Sequence, residues 1–309
     1  MNKIFAVFLT TLLFAQIDFP GDKAVRKGVH AFYNYETADA IVILDIARKD
    51  YPENPTVHLT WAAAKWLHNR ANATVEQTCI DLENDLKGVI PVYEALVKKN
   101  PNDPNYQLYL GSATGLMARI YLGKKEWLNT LNWAYSGFRV IQKVEEEHPE
   151  IVDASLPIGI VEYYAGLSNV LIQWGASLLG LDPSRGRGLS KIERAANDGP
   201  WSWIEGKGIS SFLYLWVDVD PEKAMIHSGE LVNSFPRNFY FRILYTESLI
   251  RCGKMNTALT SLNELEKMIP SLTLTQQKWY HSYLQYQFAL YHFTNRNLEK
   301  AQLHIDDAV

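Results

Sequence analysis

The chain has 309 residues, of which 47% are hydrophobic, 12% aromatic and 21% charged, a composition that excludes intrinsic disorder and supplies a long core. Its 30 Lys and Arg against 34 Asp and Glu leave a net charge of -4. The basic residues are scattered rather than gathered in a stripe, so no nucleic-acid partner is expected.

The first sixteen residues read as a secretory signal peptide. Lys3 gives a short basic start, residues 4–14 are an uncharged, mostly apolar run too short to span a bilayer, and Ala15-Gln16 offers a cleavage point. Leu13 stands where a small residue is usual, which leaves an uncleaved anchor as the alternative. The expectation is an exported protein, periplasmic or secreted, with no integral membrane segment after signal cleavage.

From residue 17 onward one helix-turn-helix phrase recurs. Gly28, Ala40, Leu44, Ala47 and Pro52, around the turn Tyr33-Asn34-Tyr35-Glu36-Thr37, form a first unit. Asn54-Pro55 breaks the chain before a helix carrying Leu59, Trp61, Ala62, Ala63, Trp66 and Leu67. A polar stretch, residues 69–76, then lengthens this second unit, whose second helix ends at Lys99-Asn100-Pro101. Asn72-Ala73-Thr74 matches a glycosylation acceptor but is read as a helix cap.

The third unit opens at Asn102-Asp103-Pro104 and carries Gly111, Ala113, Gly115 and Ala118 along one helical side, a pattern that permits close backbone contact. In the fourth, Leu156-Pro157-Ile158-Gly159 leads into an apolar helix through Trp174, followed by a loop from Leu179 to Gly188. The fifth and sixth are the most regular: Ala224, Leu231 and Pro236 recur as Ala258, Leu265 and Pro270, each 34 positions on. The small residue lets paired helices approach, the aliphatic one fills the seam, and proline stops the second helix. A seventh unit carries Ala289, Asn297, Ala301, Ile305 and Ala308 with no polar capping helix after it, so the last helix is expected to fray or to dock on a partner.

The 34-residue period resembles that of tetratricopeptide (TPR) repeats. More narrowly, Tyr109-Leu110-Gly111 with Gly115 and Arg119, Ile158-Gly159 with Tyr163-Tyr164, and Leu179-Gly180-Leu181 followed by Arg185 and Gly188-Leu189 resemble exported bacterial TPR proteins, distantly similar to Iml2/TTC39-type repeat proteins. The resemblance covers about residues 22 to 309. It implies an all-α, TPR-like alpha-alpha superhelix: a solenoid of about seven helix-turn-helix units, several with lengthened helices, in a single domain over 17–309. It further implies an inner face lined by the first helix of each unit and a protein or peptide partner bound there. The Lys, Asn and Arg clamp of the chaperone-binding members has no counterpart here, so that specificity does not carry over. A solenoid of this kind sets each unit against its immediate neighbours only, and Cys79 and Cys252 are accordingly expected to be too far apart to join.

Candidate chemistry is sparse. No i, i+4 histidine pair and no HExxH occurs among the eight histidines, so no metal site is expected. The glycine motifs that mark phosphate loops, hydrolase elbows and dinucleotide sites are missing, and no cofactor is expected. Glu162, beside Tyr163 and Tyr164, could act as a general acid with Glu205 as its partner, yet nothing in the spacing fixes their separation. Arg185 and Arg187, set among glycines, could hold an anion, although a solvated connection between helices explains them equally.

The nine tryptophans mostly sit among aliphatic residues, where packing between units accounts for them. Trp201 and Trp203 differ, because residues two apart cannot share a helix face, so at least one is expected on a rim or groove. The reading is therefore a non-enzymatic scaffold of the cell envelope that binds a protein or peptide in its concave groove. Glycan or envelope-polymer binding through an aromatic groove is the alternative, and a carboxylate-dependent hydrolase the third.

Overall fold

The computed structural model describes residues 19–168, 177, 180 and 183–308. The signal peptide expected over 1–16, and the readings at Trp174, Leu179 and Leu181, lie outside the described residues.

Among the described residues the regular structure is helical, arranged as seven consecutive antiparallel pairs. They are α1 (Asp22–Tyr33) with α2 (Thr37–Asp50), α3 (Val57–Asn72) with α4 (Val75–Lys99), α5 (Pro104–Gly123) with α6 (Trp127–Glu147), and α7 (Ser155–Leu167) with α8 (Arg185–Asp198). The remaining three are α9 (Trp203–Trp216) with α10 (Pro221–Ser234), α11 (Phe239–Arg251) with α12 (Met255–Met268), and α13 (Leu274–Thr294) with α14 (Leu298–Ala308). This is the all-α helical repeat solenoid that the period predicts. The polar stretch of the second unit turns out to be mostly helix, divided between the end of α3 and the start of α4, which runs to 25 residues.

Side-chain caps set about half of the starts. Thr74 accepts from the Gln77 amide, so the threonine of the would-be glycosylation motif is a cap. Asp103 before Pro104, and Asp220 before Pro221, combine a capping carboxylate with proline at the first helical position. Asn238 caps α11, and Thr273 with Gln276 forms a capping box at α13.

The recurring second-helix positions form the seams. Ala40, Leu44, Ala224, Leu231, Ala258 and Leu265 are all fully buried. Truncating one of the leucines to alanine would cost roughly 2–5 kcal/mol. Glycines do the same where backbones meet. A methyl added at Gly137 would stand 2.6 Å from the Gly115 amide nitrogen, which draws α5 and α6 together. One added at Gly188 would stand 2.6 Å from the Gly159 carbonyl oxygen, which fixes α7 against α8.

Three expectations are corrected. Arg185-Gly186-Arg187-Gly188 is not a turn but the first turn of α8, begun by Ser184, whose hydroxyl accepts from the Arg187 amide. Gly188 is there for close packing and not for a left-handed bend. Trp127, together with Leu128 and Leu131, faces solvent at the start of α6 instead of packing between units.

The third correction concerns the path of the chain. The array is not extended with neighbour-only contacts, because the first unit packs against the fifth, sixth and seventh. The Asn238 side-chain amide donates to the Tyr33 carbonyl at 2.7 Å, and the Arg237 amide donates to Asn34 Oδ1 at 3.0 Å. Arg26 reaches the Pro200 carbonyl, Tyr35 and Tyr280 share a 2.6 Å hydroxyl contact, and Thr273 donates to the Ala71 carbonyl. Tyr33 also packs on Phe235 and Phe241. The superhelix thus closes on itself, with the first helix of each unit turned inward. Cys79 and Cys252 are both free and half-buried.

Candidate functional site

Closure deepens the inner face into a half-open cavity. A cavity of about 310 Å³ lies between α1, α3, α5, α7 and the start of α9. Its walls are apolar, with Val29, Phe32, Leu59, Leu156, Ile160 and Trp201 among them. A few polar groups converge on it: Tyr33, Thr56, Thr60, Tyr109, Ser112, Asp153, Ser202 and Glu205. An apolar pocket with a small set of placed polar groups is the usual form of a ligand site.

Three of those groups define its character. Tyr33, the last residue of α1, donates its hydroxyl to Glu205 Oε1 at 2.6 Å. Glu205, in the first turn of α9, stands open to the cavity yet is surrounded by protein. Burial raises its carboxyl above the ordinary range, the Tyr33 hydrogen bond pulling the other way. Burial, and then the facing carboxylate, raise the Tyr33 hydroxyl well above its own usual value.

Asp153 has a different task. Its Oδ1 accepts from the Trp201 and Ser202 amides at 3.1 and 2.8 Å and from the Ser202 hydroxyl at 2.7 Å. It therefore secures the start of α9 from the unit before. Burial still raises its carboxyl, although those bonds and Arg26 oppose the shift. Arg26 itself lies 4.1 Å over the Trp201 ring, on a residue that lines the cavity.

Of the candidate residues singled out in the sequence, Trp201 and Glu205 line this cavity, and Glu162, Tyr163, Tyr164, Arg185, Arg187 and Trp203 do not. Glu162 is buried on α7, where Oε1 accepts from Lys191 at 2.9 Å, and Lys191 also pairs with Glu145. It is thus held in packing, away from the cavity that Glu205 lines, and the two do not form a facing pair there. Tyr163 is fully buried and donates to Asp218 at 2.5 Å, while Arg185 pairs with the same carboxylate. Burial, with Asp218 next, pushes the Tyr163 hydroxyl up to about 12. Together these residues tie the start of α8 to the end of α9. Tyr164 is exposed, edge-on to Tyr163, and Arg187 is exposed on the first turn of α8. Trp203 stacks on Phe235 at 5.8 Å and staples the fifth unit.

Tyr33 and Asp153 line the site without having been singled out as site residues. Tyr33 was legible only as a turn residue, because its partner lies 172 positions away. Among the described residues no group of three or more His, Cys, Asp or Glu could hold a metal ion, and no helix is long and apolar enough to cross a membrane.

No family model matches the chain, and no curated protein matches it. Among solved structures the chain is similar to a tetratricopeptide repeat protein from Parabacteroides merdae, at 12% identity and a TM-score of 0.35, over 93% of this chain and 91% of that one.

Proposed function

We propose that this chain is an exported, non-enzymatic scaffold that holds a segment of a protein or peptide partner on its inner face, anchored in the cavity between α1 and α9. Export is read from the pattern of residues 1–16, and the mature chain would begin near Ile17. One observation carries the binding reading: apolar walls surround two carboxyls, Glu205 and Asp153, the latter tied to the start of α9, with no Lys, Arg or His among the lining residues. Such a site suits an apolar side chain next to a positive charge, or the amino terminus of a peptide with an apolar first residue.

Selection from a displayed peptide library against the full chain tests it. Enriched sequences should combine a large apolar residue with an adjacent basic group, and Glu205→Gln should weaken them about tenfold, near 1.4 kcal/mol. Peptides that bind equally well to Glu205→Gln would remove the cavity from the reading.

A further inference from the structure

The second half of the inner face carries a separate groove of about 460 Å³, enclosed by α9, α11, α13 and the end of α14. Its walls are rings: Phe212 and Trp216 from α9, Tyr240 from α11, Tyr283 and Tyr286 from α13. Each is 37–54% exposed. Rings of this size are ordinarily spent on packing between repeats, so five converging on one open groove form a contiguous exposed apolar patch of the kind that marks a binding surface.

The floor is polar but uncharged overall. Glu247 is wholly buried, and its Oε1 accepts from Arg251 Nε and Nη2 at 2.9 and 2.6 Å. Gln287, only 1% exposed, donates from Nε2 to Glu247 Oε2 at 2.9 Å, and its own Oε1 has no partner. A buried acceptor left unsatisfied costs about 1–3 kcal/mol, and Gln287 is one of the residues that line the groove.

We propose that this groove binds a neutral saccharide. The weakly positive C–H faces of a sugar ring suit the negative faces of aromatic rings. Its hydroxyls can serve Gln287 and Ser282 together with the tyrosine hydroxyls at the rim. The other ligand classes fit less well. A pure hydrocarbon would leave the Gln287 acceptor dry and unpaired. A charged ligand meets a carboxylate already neutralised by Arg251. A peptide main chain needs a row of side-chain amides here, because the backbone groups of helical walls are already used, and Gln287 is the one carboxamide lining the groove.

Titration calorimetry of the full chain with cellohexaose, maltohexaose and the chitin hexamer tests this, with a proline hexapeptide as the contrasting class. At least one sugar should bind saturably. Tyr283→Ala, at an exposed ring, should weaken that binding about tenfold. Gln287→Met, checked for an unchanged helical spectrum, should weaken it similarly. Glu205→Gln, in the other cavity, should leave it unchanged, so failure here and failure of the peptide reading are told apart. No heat from any of the three sugars at about 10 mM, roughly 2.7 kcal/mol of binding, overturns the proposal. So does binding indifferent to Tyr283→Ala, or saturable binding of the proline peptide in place of the sugars.

Discussion

Glu205 and Asp153 are two carboxyls whose surroundings favour the protonated form. In each the largest effect is burial, and in each hydrogen bonds that stabilise the charge only partly offset it. A raised carboxyl binds its proton more tightly in the folded chain than in the unfolded one. Its stabilising contribution is therefore complete below about pH 4 and is lost as pH rises through the folded value. Glu205→Gln keeps an acceptor for the Tyr33 hydroxyl and removes the buried charge. Thermal melts should show this variant more stable than the parent at pH 8, with the gap closing toward about pH 4; a parent more stable at pH 8 would mean that the ionised carboxyl is well solvated. The cysteines need no such shift to be tested. Non-reducing peptide mapping should recover Cys79 and Cys252 as free thiols.

Two glycines of one helical turn separate backbone freedom from packing at the scale of an element. Gly186 lies in the first turn of α8 with open space around it, whereas Gly188 faces the backbone of α7 at Gly159 and Tyr163. Gly186→Ala should raise stability by up to about 1 kcal/mol, since alanine is the better helix former. Gly188→Ala should lower it by roughly 1–3 kcal/mol, because the two helices must move apart. Chemical denaturation of both variants checks the pair, and equal effects would contradict the packing role. The last element behaves differently. In α14 only Ala301 is buried, while Leu298 and Leu303 face solvent. Amides after Glu299 should exchange with solvent faster than those around Ala258 in the isolated chain.

Closure is the property of the whole molecule that decides where ligands can go. An open solenoid presents a shallow concave face, but here α1 meets the loop before α11, and the inner face carries a cavity and a separate groove. Tyr240 marks the junction: its hydroxyl is raised to about 12, first by burial and then by Tyr283, Glu205, Tyr280 and Tyr164, which reach it from both sides. Asn238 holds the closure, since it both caps α11 and donates to the Tyr33 carbonyl. Asn238→Ala should cost about 1–2 kcal/mol. Its amide-exchange pattern should show α1 loosening along with α11, which lie more than two hundred positions apart; loosening confined to α11 would mean that the first unit is held by its own neighbour alone.

The sequence by itself determined what depends on local pattern. Alanine, leucine and proline at a fixed period specify paired helices, because small and apolar residues at those positions bury the seam, and a proline just past the second helix keeps it from continuing. The caps at Thr74 and Asp103 were legible for the same reason, being bonds between residues two or three apart. Tertiary structure alone decided the site. The curvature that brings Tyr33 to Glu205 and Tyr35 to Tyr280 accumulates from small rotations at each seam, set by side-chain volumes such as those at Gly137 and Gly188. No single stretch of sequence records that sum. The same holds for Glu162, whose residue type suits catalysis as well as structure; Lys191, 29 positions away, is what holds it in the packing of the fourth unit.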